Sequence, residues 1–309
     1  MQPIVAEEIK DFDTSLDRLW ARRDLVVVAA GALICFRSIY RRAQQIGALE
    51  RFRYAAVRAE NYVLGMAEEA IRDAVSDAAH LPGARAVVIY LSCLDILTRL
   101  DFADIEHMLS AETDCTVRCF FRGPLAKADG IRHETVEELL AVLPPEDSVI
   151  TAPAQLPPPM SDTAGVSDFL QEEGAAHVLV TPSGCRNALV RMDLMSERSD
   201  IYALIPKPED YIFGIEETAA AETGALAATG AYRTVHLLSS PVPAFMAMET
   251  TPVLQAAEEH GCHACASPTD GFHDAVFGTA EATLRLVQEA SKGWLEEGRT
   301  IFILGYSPL

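Results

Sequence analysis

Gly31-Ala32-Leu33-Ile34-Cys35-Phe36-Arg37 lies between an apolar run, Leu25-Val26-Val27-Val28-Ala29-Ala30, and a segment where Ile34, Ile39 and Tyr40 begin a helical face. The apolar run is short and β-branched, the signature of a buried strand. Cys35 therefore falls at the carboxyl end of a strand and the start of a helix. Val178-Leu179-Val180-Thr181-Pro182-Ser183-Gly184-Cys185-Arg186 repeats this layout, with Cys185 placed 150 positions after Cys35. Two such turns half a chain apart indicate an internal duplication.

The elements around them recur in the same order. In the first half, a helix over 8–23 precedes the strand, and a helix carrying Arg37, Arg41 and Arg42 follows the turn. Phe52–Val57 reads as a strand, and Glu60-Asn61-Tyr62-Val63-Leu64-Gly65 opens a long helix to about Ala79. Arg85–Leu91 reads as a buried strand ending at Ser92-Cys93, then come a helix from Asp101 to Ser110, a strand over 115–121 and a helix over 133–142. The second half offers a helix over 165–173, a strand over 177–181, a strand Asp200–Ile205, and Glu209-Asp210-Tyr211-Ile212-Phe213-Gly214, 149 positions after its counterpart. Arg233–Leu238 ends at Ser239-Ser240, as the first-half strand ends at Ser92-Cys93. A helix Thr251–His260, a strand Cys262–Ala266, a helix over 276–291 and a strand over 300–304 complete the pattern.

Helices alternating with buried strands imply parallel sheets with crossover helices. The expected fold is α/β, two duplicated Rossmann-like open parallel-sheet units. The first spans 1–152 and the second 161–309, and the proline-rich run near 153–160 links them. A short strand-like stretch, 147–151, precedes that run. Ligands in such sheets bind at the carboxyl ends of the strands, where Cys35, Cys93, Cys185 and Ser240 all fall.

The net charge of −20 argues against nucleic-acid or anionic-membrane partners, which call for basic patches. The longest apolar runs are strand-sized, so no transmembrane helix is expected. The start, Met1-Gln2-Pro3-Ile4-Val5-Ala6-Glu7-Glu8, lacks a basic segment and an apolar core, so it does not read as a secretory signal. Seven scattered cysteines suit a reducing, cytoplasmic setting with thiols free or metal-bound.

Three cysteines occupy equivalent strand-end turns. Packing of the halves about a pseudo-twofold axis would bring Cys35 and Cys93 to face Cys185. Three thiolates with a fourth oxygen ligand or an open position suit an iron–sulfur cubane, and thiolates suit zinc equally, so spacing alone does not choose the metal. The alternative is structural: free cysteine is among the most buried residue types, and strand ends lie close to cores.

The order of motifs resembles the component 1 proteins of the nitrogenase superfamily. The resemblance runs over most of 20–127: the Cys35 turn, the Glu60–Gly65 segment, the strand ending in Ser92-Cys93-Leu94, the helix start at Asp101 and Asp104, and Phe120-Phe121-Arg122-Gly123-Pro124-Leu125. It is weaker over 175–278. It implies a cluster, of [4Fe–4S] type, held by Cys35, Cys93 and Cys185, with Ser240 as a fourth ligand. It also implies an ATP-dependent iron-protein reductase as partner, a small-molecule substrate, anaerobic chemistry and a homo-oligomer. The chain has room for two α/β units where the family's usual subunit has three. No cysteine precedes Cys35, and the region that would hold a nitrogen-reducing cofactor is absent, so nitrogen fixation is not expected.

Other clusters carry weaker signals. His260-Gly261-Cys262-His263-Ala264-Cys265 could bind zinc or exchange disulfides, but it lies on a strand, where residues three apart face opposite ways. Cys115-Thr116-Val117-Arg118-Cys119 holds the matching place in the first half. Asp274 after His273 suits a helix N-cap. Arg37, Arg41, Arg42, Arg51 and Arg53 form the one basic group, read either as a solvated helix face or as a dock for an acidic substrate. No Walker-type phosphate loop, dinucleotide fingerprint or nucleophile elbow occurs. The expected function is an iron–sulfur oxidoreductase resembling nitrogenase component 1. The alternatives are a non-catalytic scaffold or carrier for a metal cofactor, and a metal-free two-lobed small-molecule-binding module.

Overall fold

A computed structural model describes residues 1–3, 15–99, 101–121, 125–126, 130–170, 174–185 and 200–291. The chain divides into two compact bodies. One comprises Val5–Pro159 with Pro182–Ala188, and the other Met1–Ile4 with Met160–Thr181 and Leu189–Leu309. The strands are, in chain order, β1 (Gln2–Pro3), β2 (Leu25–Gly31), β3 (Phe52–Ala56), β4 (Ala86–Leu91), β5 (Thr116–Phe121), β6 (Ala175–Val180), β7 (Ile201–Leu204), β8 (Thr234–Ser239) and β9 (His263–Ala266).

In the first body the sheet order is β3-β2-β4-β5, all parallel. In the second it is β7-β6-β8-β9, again all parallel, with β1 added antiparallel on the β7 edge. Each body is thus an α/β unit with the same strand order, and the register repeats: Val27 faces Val88 and Phe52, as His177 faces His236 and Ile201. The fold is two duplicated Rossmann-like units.

The central strands β2, β4 and β6 are buried at every residue, as helices on both faces require. On one face of the first sheet, Leu25, Val27, Ala29, Val88 and Tyr90 pack against Trp20, Phe36, Ile39 and Leu139 from the covering helices. Tyr90 stacks on Phe120 with centroids 5.6 Å apart, and Trp20 meets Phe52 edge to face. Side chains of this size are worth about 1.5–3 kcal/mol each when fully buried. The second core repeats the scheme with Val178, Val180, Leu204, Val235 and Leu237.

Several boundaries depart from the expectations. The helix opened by Glu60 is two helices, Ala59–Leu64 and Ala67–Ala79, because Gly65 turns left-handed (φ 70°) and ends the first. Its counterpart breaks likewise at Gly214, between Asp210–Phe213 and Glu216–Ala227. Residues 147–151 form no strand. Ile150 and Thr151 donate single backbone bonds to Arg23 and Pro82, which pins an extended segment without a ladder. The helix expected over 133–142 starts at Val136, where Thr135 caps it and Glu138 bonds back. Residues 8–14 of the first helix, Arg122-Gly123-Pro124, residues 171–173 and the strand over 300–304 lie outside the described residues. Among the described residues no helix is long and apolar enough to cross a membrane.

Candidate metal centre at the ends of the central strands

In the order β3-β2-β4-β5 the chain leaves β2 towards one edge and β4 towards the other. The crevice between the carboxyl ends of β2 and β4 is the place where such sheets receive ligands. Cys35 and Cys93 belong to the two turns that border it.

β2 ends at Gly31, whose φ of 135° only glycine adopts without strain. A Cβ at Gly31 would lie 2.8 Å from both Cβ and Oγ of Ser92 and 3.7 Å from Cys35 Sγ. The missing side chain lets the two turns close on each other. A single 3₁₀ turn, Leu33–Cys35, follows, with the Cys35 amide donating to the Ala32 carbonyl at 2.9 Å, and the helix Phe36–Gln45 begins directly after it.

β4 ends at Leu91 and is followed at once by Ser92, the N-cap of the helix Cys93–Leu97. Both the amide and the hydroxyl of Ser92 donate to Asp95 Oδ2, at 2.6 and 2.7 Å. Tyr62 Oη donates to Asp95 Oδ1 at 2.8 Å. Asp95 is fully buried, and these three donors satisfy its carboxylate. Burial drives the Tyr62 phenol well above its ordinary value, and the Asp95 charge, the bond to Asp95 and the nearby Cys35 push the same way. Sequence reasoning misses Asp95. Its signal is Ser92-x-x-Asp95, a capping pattern whose acid is normally solvent-exposed but is here driven inward by the sheet. Tyr62 stands inside the Glu60–Gly65 segment, where the sequence shows it only as a helix residue.

None of the seven cysteines forms a disulfide. Cys115, Cys119 and Cys262 are buried, whereas Cys35, Cys93, Cys185 and Cys265 are partly exposed. Cys185 closes its own turn, its amide donating to Pro182 at 3.1 Å, and its segment Pro182–Ala188 belongs to the first body. Ser240 belongs to the second body, at the end of β8.

The repeat equivalence of Ser240 needs correction. Val87 pairs with Val26 as Val235 pairs with Ala176, so the helix cap after β8, Ser240, corresponds to Ser92 and not to Cys93. Pro241 takes the place of Cys93, and Pro243 that of Asp95. Without an acid at that place, the fully buried Ser240 Oγ has no hydrogen-bond partner among the described residues.

Among the described residues, the ligand atoms that gather three together within 4.8 Å belong to Asp162, Asp270 and His273. The thiols of Cys35, Cys93 and Cys185 are not drawn that close. A tetrahedral zinc with bonds of about 2.3 Å holds its sulfurs roughly 3.8 Å apart. As placed, the three thiols do not meet at one such ion.

The acidic group has a structural explanation. Asp162 Oδ1 accepts from the amides of Thr163 and Gly271 at 2.6 and 2.8 Å, and Oδ2 accepts from the Asp270 amide at 2.8 Å. It clamps the 270–274 loop to the start of the helix Asp162–Phe169. Burial pushes the Asp162 carboxyl up to about 7, against the pull of those amides. A Cβ on Gly278 would lie 2.8 Å from the Cα, Cβ and backbone oxygen of Asp162, so the helix Ala275–Ser291 approaches this clamp through a glycine.

The remaining candidates resolve by geometry. Asp274 Oδ1 accepts from the Phe277 amide at 3.0 Å, the expected N-cap. Cys262 Sγ faces the Tyr232 carbonyl, and Cys115 Sγ faces the Ala79 and Ala84 carbonyls. The arginines do not form an open patch. Arg42 pairs with Asp17, Arg37 donates to the Pro158 carbonyl, Arg51 to the Trp20 and Arg22 carbonyls, and Arg53 to the Glu50 and Phe52 carbonyls. Burial lowers the pKa of both Arg51 and Arg53.

No family model and no curated protein matches the chain. Among solved structures it has a weak likeness to a complex of VinN with L-aspartate, at 12% identity and a TM-score of 0.27, covering 83% of this chain and 67% of that one. It has another to the adenylation domain of a keto acid-selecting NRPS module bound to keto acyl adenylate, at 11% identity and a TM-score of 0.33, covering 82% of this chain and 50% of that one. The chain spans half the length of the latter, and likenesses at this level carry no functional argument.

Proposed function

We propose that the chain is an iron–sulfur redox protein of the nitrogenase component 1 type, in a short two-unit form. It would accept electrons from an ATP-dependent iron protein and pass them to a small molecule. The observation that carries this reading is positional. Cys35 and Cys93 border the switch-point crevice of one body, Cys185 belongs to the same body, and the three are partly exposed while most other thiols are buried.

Cys35, Cys93 and Cys185 would hold a [4Fe–4S] cluster, leaving one iron open to an oxygen ligand or water. When bound, such a cluster supplies one-electron transfer at a potential set by nearby charge and by hydrogen bonds. Gly31 lets the Cys35 and Ser92 turns meet. Ser92 and Tyr62 fix the Asp95 carboxylate behind them, a buried negative charge that would disfavour adding an electron to a cluster held there and so would keep its potential low. Ser240, as the counterpart of Ser92 in the other body, is not needed in this ligand set.

The test is anaerobic reconstitution with iron and sulfide, followed by iron and acid-labile sulfide analysis and electron paramagnetic resonance of the reduced protein. About four irons and four sulfides per chain are expected. A colourless, iron-free product contradicts the proposal. ATP-dependent reduction by an iron protein then tests the electron partner.

A further inference from the structure

The second sheet carries a row of polar side chains at one level. Asp200 precedes β7, His177 lies on β6, His236 pairs with it on β8, and Cys265 pairs with His236 on β9. Register partners on neighbouring parallel strands point to the same face. Cys265 Sγ lies 2.8 Å from His236 Nδ1, the His236 and His177 rings stack with centroids 5.0 Å apart, and His177 Nε2 is 3.8 Å from Asp200 Oδ2. Both imidazoles are almost wholly buried, while Cys265 is partly exposed.

Nothing in the fold calls for these residues. The same level of the first sheet holds Val27, Val88 and Arg118, and the two valines are core residues there. Setting two imidazoles where valines suffice costs desolvation at each ring. Nor does the row fit a metal. Among the described residues it is not one of the places where three ligand atoms converge, and stacked rings direct their in-plane nitrogens away from a shared ion.

We infer that Cys265 and His236 form a thiolate–imidazolium pair, a modification site in the second body whose ligands are low-molecular-weight disulfides. Its place on β9, the edge strand of the second sheet, gives the partly exposed sulfur access, while the buried His177 ring stacks on the imidazolium and has the half-buried Asp200 carboxylate beside its own Nε2. The step balances as a thiol–disulfide exchange. The Cys265 proton rests on His236 Nδ1. The Cys265 sulfur attacks one sulfur of R–S–S–R, the S–S bond of the reagent breaks as the Cys265–S–S–R bond forms, and the expelled thiolate takes the proton from His236. The small disulfide is the oxidant, and one equivalent of R–SH leaves.

The experiment exposes the full-length, anaerobically purified chain to oxidised glutathione at pH 7 and follows each cysteine by peptide mass spectrometry. Cys265 is expected to form its mixed disulfide first among Cys115, Cys119, Cys262 and Cys265. His236→Asn is expected to slow Cys265 about tenfold or more, the difference between a paired thiolate and an ordinary thiol, with Cys262 unchanged. An undiminished Cys265 rate in that variant overturns the inference. Nitrogen NMR of the His236 ring needs no substitution in the pair. The ring should be doubly protonated while Cys265 is unmodified and singly protonated once it carries glutathione; a ring singly protonated in both states also overturns it.

Discussion

Ser92 and Ser240 hold the same place in the two bodies. Each succeeds a central strand, each caps a five-residue helix, and their backbone angles agree closely, −98° and 175° against −102° and 174°. The helices they cap differ in sequence. Three residues on stand Asp95 in one body and Pro243 in the other, so Ser92 Oγ donates to a buried carboxylate while Ser240 Oγ, equally buried, has no partner among the described residues. The duplication has kept the scaffold in both halves and placed the thiol and the acid in the first.

This asymmetry predicts opposite outcomes for one substitution. Ser92→Ala removes one of the three donors to Asp95 and should destabilise by about 1–2 kcal/mol. Ser240→Ala removes an unpaired buried hydroxyl and should be neutral or stabilising by up to about 1 kcal/mol, with the iron content of reconstituted protein unchanged. Urea unfolding of the two variants, with iron analysis, checks both. Lost iron in Ser240→Ala would return that residue to the ligand set.

Gly31→Ala should be among the most damaging small changes in the first body. The new methyl group meets Ser92 at 2.8 Å, on a backbone whose φ of 135° already excludes other residues. Strain and overpacking together suggest a loss of about 2–4 kcal/mol. A shift in the denaturation midpoint measures it. A variant as stable as the parent would mean that the Cys35 and Ser92 turns are not closed on each other.

Tyr62→Phe removes the buried bond to Asp95, at about 1.5–3 kcal/mol for a bond to a charged group. It also changes the alkaline limb. The folded phenol titrates above the unfolded one, so its contribution is complete below about pH 10 and is lost as pH rises beyond that value. Stability measured from pH 8 to 11 should fall more gently in Tyr62→Phe than in the parent. Parallel curves would place Tyr62 in water.

Asp162 gives a second pH signature. Its folded value of about 7 exceeds the ordinary 3.8, so the folded state keeps a proton that the unfolded chain releases between these values. The stabilisation is complete below about pH 4 and disappears as pH rises through 7. Asp162→Asn stays neutral throughout. It turns an amide group towards the Asp270 N–H, which costs about 1–3 kcal/mol, but it removes this slope. Urea midpoints between pH 4.5 and 7.5 decide the matter, and an unchanged slope in the variant contradicts the burial of the carboxyl.

The sheets are legible in the sequence because their residues carry the pattern locally. Leu25–Ala30 and Arg85–Leu91 can be buried only as central parallel strands, and the spacing between halves exposes the duplication. The helix breaks at Gly65 and Gly214 are not legible, since a glycine inside a helical pattern signals a stop only through the φ it adopts. The site is legible in part. Cys35 and Cys93 stand out because a strand end announces itself, but Asp95 is hidden by its helix-capping role. The match of Ser240 to Cys93 slips by one residue because Ser239-Ser240 and Ser92-Cys93 look alike without the ladder register. The Cys265–His236 contact depends on register between β8 and β9, which no local pattern encodes.

If Cys185 acts with Cys35 and Cys93 at one centre on the first body, removing its thiol must empty that centre. Iron and acid-labile sulfide retained after anaerobic reconstitution, compared between Cys185→Ala and the buried-thiol control Cys115→Ala, test this most directly. Near-complete loss of iron is expected in Cys185→Ala, with parental content in Cys115→Ala. Equal iron in both variants would contradict the shared centre.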